Sequence, residues 1–181
     1  MKALTLTQPW AALVAIGAKH IETRSWATSY RGPLAIHAAK GIGSVGGAMG
    51  LMSLCRTEPF RAALLAGGIL GTPLLPRGAI IATCELIDCV PTVHPGIANE
   101  PGKPWFTGAH KGVGQHYYEV PPPQDSNEFA FGDYSPGRFA WLLADVKLLP
   151  RPIPCKGALG LWRVDAPALA AIAEQIRAVA A

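Results

Sequence analysis

Long apolar runs are missing from this chain of 181 residues. The most apolar window, 62–75, is broken by Gly67, Gly68, Gly71 and Pro73. It is too short and too interrupted to cross a bilayer, so no membrane partner is expected. No apolar run follows Lys2, so no signal peptide is expected. Charge is scarce too: only 15% of residues are charged against 50% hydrophobic, which excludes a chain dominated by disorder. Cys55, Cys84, Cys89 and Cys155 form no C-x-x-C pair, which removes the zinc knuckle and the dithiol redox site. Buried free thiols in a reducing cytoplasm are expected. The glycine-rich stretch 41–47 lacks the G-x-x-x-x-G-K-[ST] pattern, so no P-loop is present. No ligand spacing announces a metal and no motif announces a cofactor, so neither is assigned.

What is present is enough chain for one domain with a sizeable core. The expectation is a single domain over 1–181, carrying a Pro- and Gly-rich insertion at about 91–128. The net charge of +4, with a pI of about 9.0, is a mild basic bias that suits an anionic partner.

The chain is organised around 17–26, GAKHIETRSW. Before it, 3–6 reads as a strand, and Pro9 opens a short helix over 10–16 that is apolar almost all round and therefore buried. Gly17 stops that helix. A strand from His20 places His20, Glu22, Arg24 and Trp26 on one face and Ile21, Thr23 and Ser25 on the other. Lys19 lies at the turn, where its amine reaches the polar face. Two readings stand side by side. One is a site of base, acid and aromatic for a flat anionic ligand. The other is an Arg–Glu pair on a solvated strand, with Trp26 closing the core.

Further on, Tyr30, Arg31, Gly32 and Pro33 form a turn. The strand 34–39 points His37 away from Leu34, Ile36 and Ala38, and Lys40 closes it. Short helices are expected at 49–55 and 59–66, their Leu and Met residues packed in the core. The longest strand is expected at 79–90. Within it Glu85 shares a face with Ile81, Thr83 and Ile87, so it needs a cation such as Arg24 or Lys19, or it is a site acid. The insertion holds Trp105, Lys111, His116, Tyr117 and Tyr118, either a grip for single-stranded nucleic acid or a loop pinned by its aromatics. A turn at 132–138 leads into a strand over 139–146, followed by a proline-rich connection over 150–157. A last strand lies at 159–164, and a helix over 167–180 is capped by Asp165.

Five or six short strands with small helices and no strict β-α-β alternation indicate an α+β protein built on a small mixed β-barrel. Its mouth would gather Lys19, Glu22, Arg24, His37, Lys40 and Glu85, with Tyr134, Arg138 and Lys156 added from the later turns. Cations hold phosphate and aromatics stack a base.

The sequence resembles the ASCH family of the PUA-like superfamily. The residues that carry the likeness are Leu6-Thr7-Gln8-Pro9-Trp10, the element from Gly17 to Arg24, Tyr30-Arg31-Gly32-Pro33 with His37-Ala38, the turn from Gly132 to Trp141, and Pro154-Cys155-Lys156-Gly157 with Leu161-Trp162. They run in family order from about Leu4 to Trp162. The resemblance implies a PUA-like barrel with a basic cleft beside the first helix that binds RNA, a nucleotide or a modified nucleoside. Nucleic-acid contacts would fall to Lys19, Arg24, Trp26, Tyr30, Arg31, His37, Lys40, Tyr134, Arg138 and Lys156. Some relatives hydrolyse N4-acetylcytidine and others are reported to cut RNA. In the deacetylating relatives a lysine, a threonine and a glutamate are assigned to catalysis. The lysine maps onto Lys19. The threonine position holds Glu22, which removes the hydroxyl nucleophile, and Glu85 is the candidate for the glutamate. A hydrolase of this chain would therefore use Lys19 with Glu22 or Glu85 as general base.

Overall fold

The computed structural model describes residues 1–43, 45–69, 74–92 and 121–180. Trp105, Lys111, His116, Tyr117 and Tyr118 lie outside the described residues. Among the described residues six strands and five helices follow one another as β1 (Lys2–Leu6), α1 (Trp10–Ala15), β2 (Ile21–Arg24), β3 (Gly32–Ala38), α2 (Gly47–Arg56), α3 (Phe60–Ala66), β4 (Ala79–Pro91), α4 (Asn127–Ala130), β5 (Phe139–Pro154), β6 (Leu161–Arg163) and α5 (Ala166–Ala180). The strands are hydrogen-bonded in the order β2-β5-β4-β3-β1-β6. The pairing is mixed, as expected for this α+β protein: β1 runs parallel to β3, while β1–β6 and β2–β5 are antiparallel.

The chain divides into two compact units, one of residues 1–18, 33–84 and 146–181, the other of 19–32 and 85–145. In the first, α1 is buried on nearly every side, as its apolar composition requires. Gln8 is fully buried yet satisfied: its Oε1 accepts from Ala12 N–H at 3.1 Å and its Nε2 donates to Pro76 O at 2.7 Å. Gly17, at φ +71°, ends the helix, and Ala18 N–H returns to Leu13 O. The core here joins Ala3, Ala35, Ile80, Leu149 and Ile153 of the strands to Val164 and to Ala168 and Ile172 of α5. Asp165 caps α5 by accepting from Ala168 N–H. Leu51 and Leu64 of α2 and α3 are buried, whereas Met49 is 75% exposed and stands outside the core.

The proline-rich connection expected at 150–157 is instead largely strand, because β5 runs on to Pro154 and is longer than β4. Pro150, Pro152 and Pro154 alternate, so their missing donors all fall on one edge and the residues between them keep theirs. Gln175 of α5 uses this: it accepts from Arg151 N–H at 2.9 Å and donates to Arg151 O at 3.1 Å. Hydrophobic pattern alone ends this strand at Val146, before the prolines; edge geometry carries it through them.

The second unit packs Ile21, Tyr134, Ala140 and Leu142, with Phe129 stacked on Tyr134 at 5.4 Å. Its strands β2 and β5 place Glu22 opposite Trp141 and Arg24 opposite Phe139. No helix among the described residues is long and apolar enough to cross a membrane.

Candidate functional site

The residues singled out in the sequence fall into two groups. Lys19, Glu22, Arg24, Trp26, Tyr30, Arg31, Glu85, Tyr134 and Arg138 belong to the second unit; His37, Lys40 and Lys156 belong to the first.

In the second unit, charge is balanced by charge. Lys19 is fully buried, donating to Ile21 O and lying 3.8 Å from carboxylate oxygens of both Glu22 and Glu128. Glu22 is buried as well, with its other oxygen 3.2 Å from Arg24 Nε. Glu128 also accepts from His20 N–H at 2.8 Å and Ile21 N–H at 3.0 Å, so one carboxylate pins the start of β2 with both oxygens. Arg31 is committed to Asp88 at 2.7 Å and to two backbone carbonyls. Arg138 lies 3.2 Å from Asp133 and donates to Thr23 O. The Asp133 carboxyl is held below its usual range chiefly by the hydroxyl and backbone N–H of Ser135, with Arg138 a smaller influence. The Thr23 hydroxyl accepts from Asp133 N–H, and Trp26 sits edge-on to Trp141 at 4.6 Å. Burial pushes the Tyr134 hydroxyl far above an ordinary tyrosine, and the nearby Glu128 and Glu22 add to it, so the phenol stays protonated. Tyr30 N–H is taken by Thr28 Oγ1. Glu85, on β4, is half-buried and also has a partner.

The first unit holds a cavity of about 850 Å³. Among the described residues its lining includes Thr5, His37, Lys40, Arg77, Lys156 and Gly157 and no carboxylate. The strands explain its place. Ala3 and Ala35 are register partners in the parallel β1–β3 pair, and two residues on so are Thr5 and His37. Alternation puts all four on one face: the first two lie under α5 in the core, the second two at the open carboxyl ends of the strands.

Both side chains then seize the segment that carries Lys156. His37 Nε2–H donates to Cys155 O at 3.2 Å, and Thr5 Oγ1 donates to Ala158 O at 3.0 Å while accepting from Trp162 Nε1. Gly157 passes between, close against the imidazole. A Cβ there would overlap the ring and lie 2.9 Å from Thr5 Oγ1. His37 is 2% exposed, and its Nδ1, left as the lone-pair nitrogen, has no hydrogen-bond partner among the described residues. Burial lowers the His37 pKa, opposed by the Cys155 hydrogen bond, so the ring is neutral at pH 7. Burial likewise raises the Cys155 thiol, which favours the unreactive thiol form.

Thr5, Arg77 and Glu128 are not among the residues singled out in the sequence. Arg77 stands between Pro76 and Gly78, a turn sequence with no functional pattern of its own. Glu128 sat at the end of the insertion, and the polar run Asp125-Ser126-Asn127 before Phe129 was the signal of a helix start there; Ser126 Oγ does accept from Phe129 N–H. Among the described residues no group of three or more His, Cys, Asp or Glu is placed to hold a metal.

Two predictions follow from this geometry. Replacing Lys19 by Met leaves two carboxylates facing each other and should cost about 3 kcal/mol in urea unfolding, whereas Lys40→Ala on the exposed rim should stay within about 0.5 kcal/mol. His37 has a lower proton affinity folded than unfolded. Its contribution to stability is therefore complete above about pH 6.5 and is lost as pH falls from there through the lowered folded value. His37→Gln should flatten that stretch of the stability–pH curve, and an unchanged slope would contradict the buried neutral ring.

No curated protein matches the chain. A family model does: the ASCH domain, over residues 4–111. That range takes in the end of β1 and all of α1, β2, β3, α2, α3 and β4, and with them Lys19, Glu22, His37, Lys40 and Arg77. The mixed six-stranded sheet with several short helices is consistent with the PUA-like form of that domain. The chain belongs to the ASCH domain family.

Proposed function

We propose that this ASCH protein binds RNA or a nucleotide, and that the ligand lies in the cavity of the first unit. One observation carries the reading. Lys40, Arg77 and Lys156 line a cavity of about 850 Å³, and among the described residues no carboxylate lines it and none of the three has an ion-pair partner. That volume is within the range of small-molecule sites. Three exposed cations with no counter-charge among the described residues attract phosphate by charge-assisted hydrogen bonds. Leu159, 98% exposed, and Pro154 offer apolar surface against which a base can lie. Arg24, Arg31 and Arg138 are each matched by a carboxylate, which supports the cavity over the ribbon after α1 as the anionic site. The reading treats the whole chain as one ASCH domain, since β4 and β5 each pass from one unit into the other. Four free cysteines fit a reducing compartment such as the cytoplasm.

The test is binding of a labelled single-stranded RNA at several salt concentrations. Lys40→Ala, Arg77→Ala and Lys156→Ala should each weaken binding and reduce the salt slope by about 0.7. Arg24→Ala should leave the slope where it was. Unchanged affinity and slope in all three cavity variants would reject the site.

A second reading, hydrolysis, is favoured by a different observation: the Lys19 amine is buried within 3.8 Å of two carboxylates. In that chemistry Glu22 or Glu128 takes a proton from water while Lys19 steadies the developing oxyanion, with Glu85 of the same unit as a further acid. Incubation with N4-acetylcytidine and a panel of short RNAs, read by mass spectrometry, decides it. Turnover lost in Glu22→Gln supports the reading; no turnover of any substrate at high enzyme concentration removes it.

A further inference from the structure

Resting on the cavity as the nucleotide site, we infer that it recognises a terminal phosphate monoester rather than an internal stretch of RNA backbone. Lys40 follows β3, Arg77 precedes β4 and Lys156 follows β5, so three separate parts of the chain supply them. Their immediate neighbours are tied to one another. Gly78 N–H donates to Ala38 O at 2.8 Å, Cys155 N–H donates to Gly78 O at 3.1 Å, and Ala39 N–H donates to Leu6 O at 2.8 Å. Gly78 lies so near Lys40 that a Cβ on it would touch the Lys40 Cβ at 3.6 Å. The three cationic side chains thus spring from one knot of backbone. A groove that tracks a strand spreads its cations along a line, one phosphate after another. A knot suits a point.

The charge agrees. A phosphate inside a strand carries one negative charge and has two free oxygens. A phosphate monoester carries about −1.5 to −2 at pH 7 and presents three strong acceptor oxygens. Three independently rooted cationic side chains, with no lining acid among the described residues, match that group in charge and in number. The mounting is also stiff. The backbone at Lys156 is fixed on one side by His37 holding Cys155 O and on the other by Thr5 holding Ala158 O, so little backbone ordering is left to be done on binding.

The ligand chemistry is shared by a free nucleoside monophosphate and by a phosphorylated RNA end, and the experiment separates them. Binding of the full chain is measured for hexauridylate with a 5′-phosphate, with a 3′-phosphate and with hydroxyls at both ends, and uridine 5′-monophosphate is used as a competitor. At least one phosphate-ended oligomer should bind about tenfold tighter than the hydroxyl-ended one. That preference should shrink as pH falls below about 6, where the monoester loses its second charge. Lys40→Ala, Arg77→Ala and Lys156→Ala should each erase it. Competition by the mononucleotide at comparable concentration identifies a free nucleotide as the ligand; competition by oligomers alone identifies an RNA end. Equal affinity for phosphate-ended and hydroxyl-ended oligomers overturns the inference and leaves the RNA-binding reading standing. Binding of none of them overturns both.

Discussion

Thr5 and His37 lie opposite each other at the open ends of two parallel strands, and both reach for carbonyls of the same short segment. The first unit's cavity depends on that grip. It holds Lys156 in the cavity lining, brings Cys155 into contact with Gly78, and leaves room only for glycine at 157. The imidazole can serve because burial keeps it neutral, with its one proton on the nitrogen that faces Cys155 O. Trp162 completes the clasp, edge-on to His37 at 5.6 Å and donating to Thr5.

The protein uses positive charge in two opposite ways. In the second unit Lys19 and Arg24 alternate with Glu128 and Glu22 in a chain of buried or half-buried groups, and the charges cancel. Such an arrangement fixes the start of β2 and makes each member costly to remove, because the partner left behind is buried without its counter-charge. Around the cavity the cations are exposed and unmatched among the described residues, so they cost little to keep and are available to an anion. Number of cations therefore says less about a binding surface than what stands next to each of them.

That distinction marks how far the sequence could be read. The buried helix ended by Gly17, the strand beginning near His20, the position of His37 opposite the aliphatic face of β3 and the Asp165 cap were all legible, because each rests on neighbours in the chain. The ASCH membership was legible for the same reason, since its motifs are local. The separation of the candidate residues into two groups was not. It is decided by partners far away in sequence: Asp88 for Arg31, Glu128 for Lys19, Cys155 for His37. Arg77 and Thr5 were passed over because a turn residue and a strand threonine carry no pattern of their own. They become part of a cavity only once β1, β3, β4 and β5 are laid side by side. The extension of β5 through three prolines was missed because proline was read as a break, when its alternation leaves one edge intact.

The most direct measurement of the central claim is an NMR titration of the isotopically labelled chain with a 5′-phosphorylated oligouridylate. The account predicts that the largest amide shifts fall on Lys40, Arg77, Gly78, Lys156 and Gly157. Shifts confined to the ribbon from Lys19 to Arg24, with those residues silent, would contradict it.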